Sequence, residues 1–236
     1  MERSTIMKLL LAIKSCKRDW MRGDHKVIRS TWGKDVPSDV DLCFFMGQGA
    51  SWLLSTDRDE EILNVCDDYD ALPEKTRGIL RWSLKRGYDY VFVADTDTFV
   101  IPKKLLSLPF KEYDLSGRFG KIKPIGETFR YVDGRDIVYD PCWPWPSGGC
   151  GYFVSRKAAE AVSNVDYQGW AEDMMMGQIL GPLEKQGLIK IGDLENLECQ
   201  AAWHFPRWRY NQNVYHPRFG WLEKMQKEHG ENRDFS

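Results

Sequence analysis

The first hundred residues alternate between apolar runs and segments of helical spacing, and this pattern limits the fold more than anything else in the chain. The run at 8–15, KLLLAIKS, is apolar throughout its middle. A strand with one face in water shows a polar residue at every second position, whereas a strand buried on both faces sits inside a parallel sheet covered by helices. Two further strands are expected at 39–47 (DVDLCFFMG) and 88–95 (YDYVFVAD). Between them, 24–33 (DHKVIRSTWG) reads as a helix beginning near Asp24 and closed by Gly33. The segment 71–87 carries Leu72, Thr76, Ile79, Leu80, Ser83 and Leu84 at helical spacing, with Pro73 in the first turn and Gly87 as the C-terminal cap. The charged stretch 55–69 is expected to be helical or mixed. Strand, helix, strand, helix, strand points to the α/β class, with a mainly parallel central sheet flanked by helices.

Beyond residue 101 the character changes. Residues 118–146 are polar, aromatic and rich in turns, and cannot form one regular element. Order returns at 148–162 with a glycine-rich turn, a short strand and a helix, and at 171–187 with a helix carrying acids in its first turn. With 236 residues, 42% of them hydrophobic, one domain over 1–236 is expected. Its first half is about 1–105 and its second about 106–236. A net charge of −2 offers no field for nucleic acid. The run Leu9 to Ile13, stopped by Lys14, is too short to span a bilayer and has no signal-peptide cleavage pattern. Six cysteines lack metal-ligand spacing and are expected as free thiols.

The third strand ends in two carboxylates, Asp95 and Asp97, around Thr96. Ligands of parallel α/β sheets bind beyond the carboxyl ends of the strands. Alternate residues of an extended segment point the same way, so both acids can face one site. A hard cation such as Mg²⁺ or Mn²⁺, shared with substrate phosphates, suits such a pair. A turn or a helix N-cap uses aspartate equally well.

Five segments in order carry a resemblance: VIRSTWG (27–33), KT (75–76), YVFVADTDTFV (90–100), PSGGCGYFVS (146–155) and EDMMMG (172–177). Over roughly residues 8 to 205 the chain resembles the β-1,3-glycosyltransferases of the galactosyltransferase and Fringe type, whose fold is GT-A. It departs from them in the middle acid, which is Thr96 here, and in Glu-Asp-Met where they carry Glu-Asp-Val, and no anchor or stem is expected.

The resemblance implies a UDP-sugar donor bound by the first half, about 1–105, an acceptor and catalytic half at about 106–236 that takes a glycan, and Mn²⁺ (or Mg²⁺) on the diphosphate. It makes Asp95 and Asp97 metal ligands, with a late histidine, His204 or else His216, as the third. Asp173 matches the family's general base for inverting transfer, with Glu172 beside it orienting a neighbour or a sugar hydroxyl. Without the resemblance the same two acids read simply as helix N-terminal charges. Ser15, Lys14, Lys75, Thr96, Gly148 and Gly149 fall where the family approaches the donor. Trp143, Trp145 and Trp170 are either acceptor platforms or core. A retaining GT-A transferase and a non-catalytic carbohydrate-binding module are the competing readings. A cytoplasmic protein is expected from a chain that starts just before its first strand, or a Golgi-lumenal one if an anchor has been removed.

Overall fold

The apolar run near the N-terminus is strand β1 (Leu9–Lys14), buried along its whole length. The computed structural model describes residues 7–50, 57–119, 128–130, 136–138, 143–169, 171–194, 197, 201–204, 227 and 230. After β1 come α1 (Lys17–Arg22), α2 (Asp24–Ser30), β2 (Val40–Met46), β3 (Glu60–Ile62), α3 (Leu72–Lys85), β4 (Tyr90–Asp95), β5 (Thr98–Val100) and α4 (Pro102–Ser107). The second half supplies β6 (Leu115–Gly117), β7 (Thr128–Arg130), β8 (Asp136–Val138), β9 (Tyr152–Ser155), α5 (Arg156–Ser163), α6 (Glu172–Lys185), β10 (Ile191–Asp193) and β11 (Ala202–His204).

Seven strands form one sheet in the order β10-β6-β9-β4-β1-β2-β3. β1 lies parallel to β2 and β4, while β9 runs antiparallel to β4 and β6. Strands from both expected halves therefore share the sheet. Leu10 and Ala12 pack on one face with Ile79, Leu80, Ala158 and Met175 from the helices α3, α5 and α6. Leu9, Leu11 and Ile13 pack on the other with Ile28, Trp32, Phe99 and Phe110. Double burial is the physical reason β1 has no polar face. Two antiparallel pairs, β5 with β11 and β7 with β8, stand outside the main sheet. Among the described residues no helix is long and apolar enough to cross a membrane.

The structure adds to or differs from the sequence pattern in three places. The stretch 55–69 holds no helix among its described residues. It holds β3, parallel to β2, where Glu60 is buried against His25 and Arg29. Its charges read as a helical or mixed stretch, and tertiary partners let Glu60 go inside. α2 stops at Ser30, and a 3-10 turn over Trp32–Asp35 follows. Gly33 is no cap: a Cβ there would stand 2.7 Å from the Ile28 carbonyl oxygen, so close backbone approach requires glycine. The short helix α1 is an element that the sequence pattern does not announce.

Gly151 precedes β9 at φ 81°, and a Cβ on it would stand 2.4 Å from the buried Phe92 ring. Gly151→Ala is expected to cost about 2–4 kcal/mol, from left-handed strain plus overpacking. A urea unfolding midpoint shifted by less than about 0.3 M would contradict this.

Candidate active site

The strand-end aspartates lie where the parallel strands β1 and β4 finish side by side, with Lys14 paired in register to Asp95. A cleft of about 430 Å³ opens there, lined by Ser15, Asp19, Tyr69, Lys75, Asp95 and Asp97 among others.

Lys14 is the connection the sequence does not reveal. Its ammonium is buried, stands 3.2 Å from Asp95 Oδ1, and donates to Glu172 Oε1. Burial works to lower its pKa, but the charges of Asp95 and Glu172 outweigh it and hold the group well above the usual lysine range. It is therefore a fixed cation. It ties the acids at the end of β4 to those at the start of α6, which are far apart in sequence. Glu172, expected to orient a neighbour or a sugar hydroxyl, accepts from Lys14.

Asp97 sits in the turn between β4 and β5 and is half-buried. Burial pushes its carboxyl well above the usual range, with the nearby charges of Asp95 and then Asp19 adding to the effect. A place where carboxylates crowd one another in this way fits a divalent cation, which would relieve the repulsion. Thr96 is buried and donates to Asp19 Oδ2 at 3.1 Å. Thr98 accepts from the Asp95 N–H at 3.2 Å and donates to the Gly149 carbonyl at 2.9 Å, so the acidic turn is fastened to the glycine turn. The backbone of His204, in β11, lies opposite Thr98, one residue beyond Asp97. The His204 side chain, His216 and Trp170 lie outside the described residues. Among the described residues no group of three or more His, Cys, Asp and Glu is placed to hold a metal.

Asp173 stands in the first turn of α6. Its Oδ1 accepts the Met174 N–H at 2.7 Å and its Oδ2 the Gly148 N–H at 3.4 Å. Burial, followed by the charge of Glu172, pushes its carboxyl up to about 7. Gly148 lies close against the start of α6: a Cβ there would come within 2.7 Å of Glu172 Oε1 and 3.4 Å of Asp173 Oδ2.

Lys75 is buried and donates to the Ser15 carbonyl at 2.6 Å and to Asp67 Oδ1 at 2.9 Å. Asp67 also accepts the backbone N–H of Gly47 at 2.6 Å and of Lys17 at 2.7 Å. Lys75 thus braces the cleft floor as well as lining it. The Trp143 ring lies over Gly181 of α6, and the Trp145 Cβ over Gly177. Four apart on a helix, these glycines form a flat track against the Trp143 ring and the backbone of Pro144. Asp19, Asp67, His25 and Glu60 do not stand out in the sequence. Each has a partner at least eight residues away, and Asp19 also pairs locally with Arg22.

Residues 24–184, more than half of the chain, match the family model described as Galactosyltransferase. A comparison with curated proteins gives no match. Several solved structures are similar at low identity. A protein from STIV is 14% identical, with 84% of this chain and 86% of that one covered and a TM-score of 0.43. A protein from Desulfovibrio desulfuricans assigned as a nucleotide-diphospho-sugar transferase is 11% identical, with 98% and 99% covered and a TM-score of 0.46. The glycosyltransferase GlyE of Streptococcus pneumoniae is 13% identical, with 96% and 64% covered and a TM-score of 0.45. With the matched span running through the arginine of the IRSTWG segment, the acidic turn, the glycine turn and the α6 acids, the chain belongs to the galactosyltransferase family and is a glycosyltransferase.

Proposed function

We propose that the chain is a metal-dependent inverting transferase, acting as one domain, that moves a hexose or N-acetylhexosamine from a UDP-sugar to a glycan hydroxyl. One observation carries the reading: Lys14 joins the strand-end acids that suit a diphosphate-bound cation to the helix that bears a carboxyl tuned to about 7.

In this reading Asp95, Asp97 and His204 hold Mn²⁺ or Mg²⁺, which supplies Lewis-acid charge to the diphosphate as it leaves. Ser15, Lys75 and Thr96 shape the nucleotide side of the cleft, and Gly148, Gly149 and Glu172 the sugar side. Asp173 takes the proton from the acceptor hydroxyl as that oxygen attacks the anomeric carbon opposite the diphosphate. One carboxylate suffices, because the leaving group needs no proton from the protein. A carboxyl near 7 suits a general base, being ionised enough to accept at neutral pH and more basic than an ordinary aspartate. Trp143, Trp145 and Trp170 offer apolar faces to a glycan acceptor. Among the described residues, free thiols at Cys16, Cys43 and Cys66 suit a reducing setting.

Calorimetric titration with UDP, with and without Mn²⁺, tests the donor half. Wild type is expected to bind UDP at least about tenfold tighter with Mn²⁺, and Asp97→Ala to lose that gain. Equal binding by the variant, or none by wild type, would sink the metal–diphosphate reading.

A further inference from the structure

A buried hydrogen-bond chain runs from the surface to the cleft wall. Arg29, in α2, donates to both carboxylate oxygens of Asp59, at 2.9 and 2.6 Å, and to Glu60 Oε1 at 2.7 Å. Glu60 Oε1 also lies 2.8 Å from His25 Nδ1, and His25 Nε2 lies 2.6 Å from Ser15 Oγ. Ser15, His25 and Glu60 are 3%, 2% and 6% exposed. The imidazole stacks on Phe44, ring centroids 4.2 Å apart, which holds its plane. Ser15 alone of the four lines the cleft.

Every link has one polarity. A guanidinium only donates. Burial acts to raise the Glu60 carboxyl, but the bonds from His25 and Arg29 outweigh it and hold the group below its usual range. Glu60 is therefore a carboxylate and only accepts, so the proton of His25 sits on Nδ1. Burial also holds His25 below the usual histidine range, which leaves Nε2 bare. The Ser15 hydroxyl must then donate to Nε2. A free serine can donate or accept; this one has only lone pairs left to offer the cleft.

We propose that the Arg29–Glu60–His25–Ser15 chain makes Ser15 an obligate acceptor that selects a hydrogen-bond donor on the nucleoside end of the sugar nucleotide, with His25 as the positioning residue. The inference rests on the UDP-sugar reading of the cleft. An imide N–H of the base and a ribose hydroxyl share the required chemistry.

The test compares UDP, N3-methyl-UDP and 2′,3′-dideoxy-UDP by calorimetry in Mn²⁺. Wild type is expected to bind one analogue about tenfold more weakly than UDP, and which one identifies the donating group. In His25→Leu the hydroxyl is free to turn, and that discrimination shrinks to about twofold; His25→Gln, whose amide can donate to Glu60 and accept from Ser15, restores most of it. Full discrimination in His25→Leu, or equal binding of all three ligands by wild type, overturns the inference alone. No binding of UDP by wild type defeats the donor reading and the inference together. A second readout needs neither variant folding nor ligand. In ¹⁵N spectra of the free wild-type protein, with four histidines in the chain, His25 is expected as the Nδ1–H tautomer, and an Nε2–H tautomer overturns the chain of bonds outright.

Discussion

Asp173→Asn is expected to lower kcat for sugar transfer by about 10²–10⁴-fold. UDP affinity in Mn²⁺ should stay within about twofold of wild type. Asparagine keeps the shape and can still accept the Met174 N–H, so the loss falls on proton transfer and not on folding. The pH profile sharpens the test. Burial and the charge of Glu172 raise the Asp173 carboxyl to about 7, so below that pH it is protonated and cannot take the acceptor's proton. Wild-type kcat at saturating donor should therefore rise with pH, about tenfold per unit below 7, and level off above it. The variant's residual rate should lack that inflection. A kcat within about threefold of wild type would remove Asp173 from the chemistry, and a collapse of UDP binding would place it in the donor site instead.

The largest stability effect is expected at Lys14. Lys14→Met keeps the length of the side chain and removes the charge. Glu172 would then stay buried with its cation gone, while Asp95, about a third exposed, could recover some solvation. Removing one partner of a buried ion pair costs about 3–5 kcal/mol, because the remaining charge is left without compensation. In a chain of this length that is a fall in Tm of about 10 °C. Pairing Lys14→Met with Glu172→Gln should recover much of the loss, since the stranded charge is then gone. A single variant that unfolds within about 1 kcal/mol of wild type would show that the Lys14 bridge does not hold the two motifs together.

How far the sequence reaches is plain from particular residues. β1, β2, β4, α3 and α6 are all legible, because a strand buried on both faces and a helix with one apolar stripe write their periods into consecutive residues. Gly87, at φ 78°, is readable as the end of α3 for the same local reason. Glu60 is not legible, because its burial depends on Arg29 and His25, which lie 31 and 35 residues away. Gly33 reads as a helix cap and Gly148 as part of a glycine-rich turn, while in the fold each has a neighbouring atom less than 3 Å from where a Cβ would stand.

By itself, the sequence determined the α/β class, the strand that ends in Asp95 and Asp97, and the presence of Asp173 at a helix start, since each is a property of adjacent residues. Only the tertiary structure decided that Lys14 spans the two acidic motifs, that Gly148 lies against Asp173, and that Ser15 answers to His25 and Glu60. Those are contacts between residues 10 to 158 positions apart, and their energies come from burial and charge that no local pattern encodes.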